Sequence, residues 1–537
     1  MANRKAALLS VSDRTGLADF AKVLQGAGFT LLATSGTTKF LSEQGIETLP
    51  IENYTGQKEI LDGRVKTLHP KIHAGLLAKR DNPEHLQELE TEEILPIDVA
   101  VVNLYPFVQN LSSQNVKNPT KMTELIDIGG PTMIRAAAKN FKFVLPVIDP
   151  ADYAPVGEFL SGKKTYSKGE ELDFRRKLSV KVFTKIAHYN LEIAKYLSHV
   201  SFSGTGAEII SVVDDADDFQ MGETAGSVLT RVQTLRYGEN PHQKAALYRD
   251  LSANEKSWEQ LNGKDLSYNN LLDFDAALSL IRTLSGQKPS VAIIKHLNPC
   301  GAACGETLLD ALTRAKRSDP RSHFGGVLAF SEIVTADVAQ AIKEDFAEIV
   351  LAPDFAPEAI ALFAANKNLR VIKVPALGTA KSGHYSTRVV EGGVLIQAND
   401  LKLSDVSEAT QSSKRKPTAT ELEDLTFAWK VCAHAKSNAI VIVEGGTVLG
   451  VGAGQMSRID SVELALSKAA THGHNVTGSV CASDAFFPFP DSVETLGKAG
   501  VTAIITPSGA KRDGDAVAAA DGKNMALLFA CDRHFRH

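Results

Sequence analysis

The apolar stretch Lys5-Ala-Ala-Leu-Leu-Ser-Val11 leads directly into the polar loop Ser12-Asp-Arg-Thr-Gly16. Such a short apolar run, ending in hydroxyl, charged and glycine residues, is typical of a buried strand and the loop after it. The following apolar residues have the three- and four-residue spacing of one helix face, at Leu17, Phe20 and Leu24. Gly28 then ends the predicted helix.

The same pattern recurs along the first 150 residues. A second apolar stretch, Phe29–Ala33, precedes the loop Ser35-Gly-Thr-Thr38, and further strands are predicted at 99–104 and 143–148. Strands that alternate with helices form a mostly parallel sheet with helices on both faces. The sequence therefore predicts an α/β domain over residues 1–150, ending at Asp149-Pro150.

The rest of the chain divides into two predicted parts. Residues 151–200 are helical and highly charged, which is typical of a connector. The segment 201–206 and the acidic run 214–218 resemble a linker. A second α/β region, within residues 201–537, has predicted strands at 290–294, 326–330, 349–352, 439–443 and 503–506.

Length and composition exclude several classes of protein. A chain of 537 residues is several times longer than a domain of about 150. Its 58 Lys and Arg against 63 Asp and Glu give a net charge of −5, which argues against nucleic acid or an anionic membrane as the main partner. Five cysteines are too few for a disulfide scaffold. Without a signal-peptide pattern or an apolar run of about 20 residues, we expect a cytoplasmic enzyme.

The common nucleotide and metal motifs are incomplete. No Gly-Lys pair has the flanking residues of a P-loop, and Gly450-Val-Gly-Ala-Gly454 is followed by Gln455 where a dinucleotide fingerprint has glycine. His69 and His73 lack the glutamate of a zinc-protease helix. Pro299-Cys300 and Cys304 resemble half of a zinc-deaminase motif with one residue too many. We expect no catalytic metal.

Two loops in the N-terminal part have the composition of an anion site. Ser10-Val-Ser-Asp-Arg-Thr-Gly16 and Ser35-Gly-Thr-Thr38 each follow a strand and open a helix. Hydroxyls and free backbone N–H groups at a helix N-terminus bind phosphate, although Ser and Thr are also ordinary helix caps. Two such loops at neighbouring strand ends favour a phosphate site.

Two further segments supply charged groups to this part. Gly63-Arg-Val-Lys-Thr67 adds two cations, although alone it could be a solvated loop. In Ile126-Asp-Ile-Gly-Gly-Pro131, Pro131 suits the first position of a helix, and Asp127 precedes it as a general base or a cap. Arg135 and Lys139 then share one helix face. Asn103-Leu-Tyr105 provides an amide and a phenol at a strand end.

The C-terminal part contains two polar clusters. Leu235-Arg-Tyr-Gly-Glu-Asn-Pro-His-Gln243 is rich in side chains that bind phosphates and polar rings. Ile294-Lys-His-Leu-Asn-Pro-Cys-Gly301 places a Lys-His pair at a strand end. A neighbouring positive charge disfavours a protonated imidazole, which suits a general base, although a strand-end hydrogen-bonded pair is an equally simple interpretation.

These clusters, in this order, closely resemble the bifunctional purine biosynthesis family. That family combines phosphoribosylaminoimidazolecarboxamide (AICAR) formyltransferase with inosine-monophosphate (IMP) cyclohydrolase. The resemblance covers nearly the whole chain and extends to Leu-Ser-Tyr-Asn-Asn (266–270), Gly-Ala-Gly-Gln-Met-Ser-Arg (452–458), Ser-Asp-Ala-Phe-Phe-Pro-Phe (483–489) and Arg-His-Phe-Arg-His (533–537). It implies a cyclohydrolase domain of the methylglyoxal-synthase-like fold. It also implies a transformylase of two cytidine-deaminase-like α/β subdomains without zinc.

The resemblance implies the partners and the two reactions as well. The family is a homodimer whose transformylase sites form across the subunit interface, and it takes the formyl group from 10-formyltetrahydrofolate as cosubstrate. The 5-amino group of AICAR ribotide attacks the formyl carbon, and formyl-AICAR then loses water to give IMP. Neither a nucleic acid nor a membrane is an expected partner.

For formyl transfer, the resemblance implies that His296 is the base, Lys295 its electrostatic partner and Asn438 the residue that orients the formyl group or the base. Glu348 stands where some members have Asp. The expected substrate-binding residues of this site are Arg236, Tyr237, His242, Phe324, Gly325, Glu348, Arg458, Ile459, Phe486, Asp491, Arg533 and His537.

For ring closure, the resemblance implies that Lys139 stabilises the oxyanion, Asp127 removes an amide proton and Tyr105 assists. Lys66 is expected both in the catalytic set and beside the 5′-phosphate. The remaining expected substrate-binding residues are Ser12, Arg14, Ser35, Gly36, Thr37, Arg64, Thr67, Asn103 and Gly129.

Two departures from the family pattern and three other functions remain at this point. His323 replaces a small residue, and the stretch 506–513 differs from the usual one. The other functions are a regulatory protein that senses a phosphorylated effector, a zinc deaminase, and a bienzyme with only one surviving activity. A sensor has no need of Asp127, Lys139 or Lys295-His296 as bases or oxyanion partners.

Overall fold

The computed structural model describes residues 5–203, 206–209, 222–252, 257–286, 288–375, 377, 385–400 and 402–537. The chain divides into two compact units, one of residues 1–230 with 250–252 and the other of residues 231–249 with 253–537. Of the predicted linker, the acidic run 214–218 lies outside the described residues. Residues 201–203 and 206 belong instead to two short strands, β6 (Val200–Ser203) and β7 (Gly206–Ile209).

The first unit is built on the parallel sheet that the sequence predicts. Its five strands are β1 (Lys5–Ser10), β2 (Phe29–Ala33), β3 (Leu49–Pro50), β4 (Ile97–Val102) and β5 (Leu145–Val147). They pair in the order β3-β2-β1-β4-β5, all parallel. The order reverses between β1 and β4, and ligands of such sheets bind outside the carboxyl ends of the strands at this switch point.

Helices cover both faces of this sheet. They are α1 (Leu17–Gly26), α2 (Ser35–Glu43), α3 (Ile51–Thr55), α4 (Pro70–Leu77), α5 (Pro83–Thr91), α6 (Phe107–Asn110), α7 (Pro119–Glu124), α8 (Gly129–Lys139), α9 (Tyr153–Leu160) and α10 (Lys168–Leu197). Two buried clusters, one on each face, enclose strands whose central residues are buried and mostly apolar. Such double burial is why these strands show continuous rather than alternating hydrophobicity.

Two details of the first unit differ from the expectation or refine it. Helix α8 begins at Gly129, so Pro131 is its third residue and not its first. The predicted connector consists mainly of α9 and α10, which pack within the first unit. Ser179 of α10 donates to the carbonyl of Ala138 at 2.8 Å, and Lys181 binds Asp152 at 2.8 Å.

The second unit is built on one sheet of twelve strands. In chain order these are β10 (Glu259–Asn262), β11 (Ser290–Lys295), β12 (Asn298–Cys304), β13 (Val327–Phe330), β14 (Ile349–Ala352), β15 (Arg370–Lys373), β18 (Thr410–Gln411), β19 (Ile440–Glu444), β20 (Thr447–Gly452), β21 (Val480–Ser483), β22 (Ala503–Pro507) and β23 (Ala526–Ala530). Two separate hairpins pair β8 (Leu229–Leu235) with β9 (Ala245–Asp250), and β16 (Tyr385–Val390) with β17 (Gly393–Ala398).

Eight helices lie in the described residues of the second unit, α11 (Tyr268–Leu284), α12 (Leu308–Ser318), α13 (Ala336–Lys343), α14 (Pro357–Ala364), α15 (Ala419–Cys432), α16 (Arg458–Thr471), α17 (Asp491–Ala499) and α18 (Asp513–Gly522). Helices α11 and α15 share one large core on one face of the sheet. The other six form two smaller cores on the opposite face. In the described part of the chain, no helix has the length and apolarity needed to cross a membrane.

The large sheet consists of two halves with the same topology. One half has the order β10-β15-β14-β13-β11-β12, and the other repeats it in reverse as β20-β19-β21-β22-β23-β18. The halves join where β12 pairs with β20, at Ala303 opposite Thr447. In each half a hairpin of two central strands is followed by three parallel strands. This duplication agrees with the two related subdomains that were expected.

Candidate active sites

Asn103 joins the loops that follow β1 and β4, at the switch point of the first sheet. Its Oδ1 accepts from the backbone N–H groups of Ser12 at 2.6 Å and Asp13 at 3.0 Å. Its Nδ2 donates to the carbonyl of Asp13 at 2.8 Å. The Asn103 carboxamide therefore shapes the loop that carries Ser12 and Arg14.

The second loop is the start of α2. Ser35, Gly36 and Thr37 are its first three residues, and the cap residue Thr34 makes no side-chain capping bond. Backbone N–H groups of a first helical turn have no partner within the helix, which suits them to bind an anion. Thr37 itself is buried and its hydroxyl accepts from Val11 N–H at 3.3 Å, so it supports the loop from inside.

Carboxylates contact the cations and hydroxyls of this cradle. Glu59 accepts from Ser35 Oγ at 3.2 Å and lies 4.0 Å from Lys66 Nζ. Arg64 pairs with Glu124. Because these are the groups expected to hold a phosphate, Glu59 competes for them with an incoming anion.

Replacement of Glu59 by glutamine should therefore tighten binding of the phosphorylated substrate. The pair is partly exposed, and such pairs contribute little, so we expect about a threefold lower KM for formyl-AICAR and an unchanged kcat. The matched control is Glu88→Gln on an exposed face of α5. An unchanged KM, or an equal change in the control, would contradict the competition.

Asp127 lies at the entrance to α8, close to the basic loop. Its Oδ1 accepts from Gly130 N–H at 2.8 Å, so it caps the helix. Burial raises the pKa of the Asp127 carboxyl above its usual range, while the Gly130 and Tyr105 N–H groups and the charge of Lys66 oppose this rise. A raised pKa makes a carboxylate a stronger base.

The two glycines at this helix start are required by close approach. A Cβ on Gly129 would lie 2.5 Å from Thr67 Oγ1, and one on Gly130 would collide with the Asp127 carboxylate. Tyr189 fixes the same segment, because its hydroxyl accepts from Asp127 N–H at 2.8 Å and donates to the Leu125 carbonyl at 3.0 Å. The structure thus brings Thr67, Gly129 and Asp127 together.

Lys139 lies at the other end of α8. The helix has 11 residues, so its ends are about 15 Å apart at 1.5 Å per residue. Lys139 lines a groove of about 640 Å³, whose walls include His73, Arg135, Phe141 and Phe183. Within one chain, the structure does not bring Lys139 to Asp127.

In the second unit, His296 and Leu297 form a two-residue turn between β11 and β12. Both have positive φ, at 51° and 66°, which is a strained conformation for residues other than glycine. Strain of this kind concentrates at functional positions. The buried end of the turn is fixed by Asp273, whose Oδ1 accepts from Leu297 N–H at 2.8 Å. Lys295 Nζ donates to the Phe324 carbonyl at 2.7 Å.

Asn298 connects this turn to the second half of the sheet. Its Oδ1 accepts from Lys436 N–H at 2.9 Å, and its Nδ2 donates to the His296 carbonyl at 3.3 Å. Two residues after Lys436, Asn438 Nδ2 donates to the Gln455 carbonyl at 2.9 Å. Asn298 therefore joins the His296 turn to the segment that leads into Asn438.

Arg458 lies behind Asn438 and is only 6% exposed. Its guanidinium donates to Asn438 Oδ1 at 2.7 Å and to Ser483 Oγ at 2.9 Å. These internal bonds use the groups that were expected to contact AICAR. In this arrangement Arg458 holds the carboxamide of Asn438.

The other residues expected around formyl transfer lie on several loops. Glu348 pairs with Arg370 at 2.8 Å, and exposed Phe324 packs on Phe346 with ring centroids 5.5 Å apart. The remaining expected positions are Gly325 before β13, Ile459 in α16, Phe486 between β21 and α17, Asp491 at the start of α17, Arg236, Tyr237 and His242 after β8, and Arg533 and His537 after β23.

The two sequence departures are accommodated locally. His323 Nε2 lies 3.4 Å from Asp345, which also binds Lys316. In the stretch 506–513, the buried Thr506 hydroxyl donates to the Ala485 carbonyl at 2.9 Å. Both departures therefore make internal contacts.

A zinc site at the cysteine pair does not fit the strand geometry. Cys300 and Cys304 lie four residues apart on β12, a separation of about 13 Å at 3.3 Å per residue. Two ligands of one zinc ion must both lie within about 2.3 Å of it. Among the residues described, no group of three or more His, Cys, Asp or Glu is placed to bind a metal ion.

Comparison with known families decides the identity. The family model described as AICARFT/IMPCHase bienzyme matches residues 137–468. The chain belongs to this bienzyme family. A second model, described as MGS-like domain, matches residues 16–132 of the bienzyme, which agrees with the expected fold of its first unit. Among solved structures, the one titled "Crystal structure of ForH" is 32% identical, covers 36% of this bienzyme and 97% of its own chain, and has a TM-score of 0.32.

Membership establishes the two activities of this bienzyme. It transfers a formyl group to AICAR ribotide and closes the ring of formyl-AICAR, the last two steps of IMP synthesis. The interpretations as a sensor, a zinc deaminase or a half-degenerate protein are therefore wrong. Sequence reasoning did not single out Asn298, Lys436, Asp273 and Glu59, which contact residues expected in the two sites or their neighbours. Asn298 could have been found from its place in the Lys-His motif, but the others act through contacts between distant segments.

Proposed function

We propose that ring closure takes place at the switch point of the first unit and formyl transfer at the His296 turn of the second. The observation that carries this assignment is the strained turn, which presents an imidazole beside Lys295 and is joined through Asn298 to the Asn438 loop. The two sites supply different chemistry, because the first has a carboxylate base and the second an imidazole.

In formyl transfer, His296 removes a proton from the 5-amino group of AICAR as it attacks the formyl carbon. This amine is a poor nucleophile, since its lone pair is delocalised into the imidazole ring. Lys295 stabilises the oxyanion, and Asn438 orients the formyl group. The tetrahedral intermediate then collapses, the bond from the formyl carbon to N10 of the folate breaks, and that nitrogen takes the proton from His296 as tetrahydrofolate leaves. The donor is 10-formyltetrahydrofolate, for which the exposed rings of Phe324 and Phe346 provide an apolar surface near Lys295.

In ring closure, the substrate phosphate binds the two loops and the basic segment of the first unit. Ser12, Arg14, Ser35 and Gly36 hold it from the strand ends, and Arg64 and Lys66 neutralise its charge. Asp127 removes the amide proton as the carboxamide nitrogen attacks the formyl carbon, and the formyl oxygen becomes a hydroxyl. This hydroxyl then leaves as water with the proton of the formylamino nitrogen, as the C=N bond of the ring forms. Enforced proximity does much of the work, so the step requires neither a cofactor nor a metal.

Lys139 joins this scheme only if the protein is a homodimer. The length of α8 separates Lys139 from Asp127 of its own chain. In a homodimer, Lys139 of one chain can stabilise the oxyanion in a site whose base is Asp127 of the other chain. We further propose that the homodimer acts in the cytoplasm, with residues 1–150 as cyclohydrolase, 151–200 as connector and 201–537 as transformylase.

Product analysis tests the proposal. The purified protein is mixed with AICAR ribotide and 10-formyltetrahydrofolate in the presence of a chelator. Formation of tetrahydrofolate together with IMP would support the folate donor and metal-independent turnover at both sites. Turnover that stops with the chelator and returns with added metal would contradict it. Tetrahydrofolate and formyl-AICAR without IMP would contradict the first-unit assignment.

A further inference from the structure

Asp484 is a fully buried carboxylate behind the proposed transformylase site. It follows β21, and its side chain is 0% exposed. Oδ1 accepts from Ala439 N–H at 3.0 Å and from the Arg458 guanidinium, and Oδ2 accepts from Ser437 Oγ. Its carboxylate therefore binds both neighbours of Asn438 in the chain.

The backbone of Asp484 reinforces the same arrangement. Its N–H donates to the Ala439 carbonyl at 3.2 Å, and its carbonyl accepts from His534 N–H at 3.1 Å. Ser437 in turn accepts at Oγ from Arg536 N–H at 3.1 Å. Residues 437–439 are thus bound from β21 and from the segment after β23.

Asn438 is the residue between these contacts, and its carboxamide donates to the Gln455 carbonyl and accepts from Arg458. Arg458 holds its Oδ1, and Arg458 is itself placed by Asp484 and Ser483. A buried guanidinium needs a buried counter-charge, which Asp484 supplies. The orientation of the Asn438 carboxamide therefore depends on Asp484 by two routes, through the loop and through Arg458.

We propose that Asp484 is a positioning residue for formyl transfer, which fixes the Asn438 carboxamide through Ser437, Ala439 and Arg458. This inference rests on the proposed role of Asn438 in the reaction. Asp484 touches no substrate, so its loss lowers kcat and leaves the KM for AICAR near the wild-type value. A small misplacement of a catalytic group is sufficient for a loss of about 100-fold.

The experiment compares Asp484→Asn with Asp424→Asn in the full-length protein. Asp424 is also buried and accepts from Gly445 and Gly446 N–H groups at 2.7 and 2.6 Å, at the opposite end of β19. We expect about a 100-fold lower kcat for formyl transfer in Asp484→Asn only, with ring closure of supplied formyl-AICAR unchanged in both variants. Equal formyl-transfer rates in the two folded variants would overturn the proposal.

A double-mutant cycle separates positioning from loss of structure. In an Asn438→Ala background, Asp484→Asn should cause less than about a threefold further loss, because the group it positions is already absent. A full further loss would overturn the proposal. If Asp484→Asn does not fold, Ser437→Ala tests the proposal instead. A lower kcat for formyl transfer with an unchanged KM would support the proposal, and a wild-type kcat would overturn it. Failure of the wild type to transfer formyl groups, or a wild-type rate in Asn438→Ala, would instead contradict the proposed function.

Discussion

Substitution of His296 by alanine should abolish formyl transfer while ring closure of supplied formyl-AICAR continues at the wild-type rate. Loss of a positioned general base lowers a rate by about 100- to 10,000-fold. Ring closure is unaffected because Asp127 and the phosphate loops belong to the other unit. Tetrahydrofolate release and IMP formation, measured separately on the same preparation, check both parts.

His296→Gly makes this test independent of stability. Residue 296 has a φ of 51°, where glycine is unstrained, so the variant should be more stable than the wild type by about 1 kcal/mol. A more stable protein without formyl transfer cannot owe its loss of activity to unfolding. His474→Ala, at a histidine that contacts the Arg317 carbonyl at 2.9 Å, is the matched control. Loss of both activities in a folded His296 variant would contradict the assignment of two sites.

Asp127→Asn should stop ring closure and leave formyl transfer intact, so that formyl-AICAR accumulates. We expect a loss of at least about 100-fold, because asparagine keeps the size of the side chain but cannot accept a proton. Burial raises the pKa of Asp127, so the wild-type rate of ring closure should begin to fall, as the pH is lowered, at a higher pH than for an ordinary aspartate. The residual ring-closure activity of Asp127→Asn should not show this fall as the pH is lowered. Ring closure at the wild-type rate in Asp127→Asn would rule out its role as base.

Mixing two inactive variants tests whether Lys139 acts in the site of a second copy. Lys139→Ala and Asp127→Asn should each lack ring closure as separate homodimers. In a mixed dimer, one site combines the intact Asp127 of one chain with the intact Lys139 of the other. After random exchange of subunits, about a quarter of the wild-type rate should return, as expected for a two-fold symmetric dimer. No recovery in demonstrated mixed dimers would place both residues in one chain's site or exclude Lys139 from the reaction.

The first unit was the more predictable of the two folds. Its buried strands are short, mostly apolar runs, and the first two are followed by the hydroxyl and glycine residues that open the next helix, as at Ser35. The local sequence pattern was enough to predict where the polar loops meet, because parallel strands bring the loops at their carboxyl ends to one edge of the sheet. The start of α8 was misplaced, since Pro131 fits the first three positions of a helix equally well by sequence. The Asp127 carboxylate accepts from Gly130 N–H at 2.8 Å, so the helix is capped ahead of the proline.

The second unit was less predictable because its site depends on contacts between distant residues. Asn298 and Lys436 are 138 positions apart, and no periodic pattern relates them. The duplicated topology was expected only from the family resemblance, since the two halves preserve backbone geometry more than residue identity. The sequence also did not predict the burial of Arg458. This arginine was expected to bind substrate but forms internal hydrogen bonds instead.

The duplicated sheet also records the ancestry of the second unit. The two central hairpins have two-residue turns of matching geometry, with φ of 51° and 66° at His296–Leu297 and of 54° and 68° at Gly445–Gly446. Each has a register shift at the same place before the turn, and each turn is held by the sixth residue of the preceding helix, Asp273 in one half and Asp424 in the other.

Agreement of the two halves in turn geometry, register shift and supporting aspartate is expected after a tandem gene duplication. Duplication of one ancestral half gave two turns of the same kind, which now lie at opposite ends of the pairing between β12 and β20. The two turns have since diverged in sequence. One has Lys295 and His296, whereas its counterpart has two glycines and therefore no reactive side chains. In the proposed assignment, one half carries the turn that reacts, and the other half supplies the Asn438 loop to the same site.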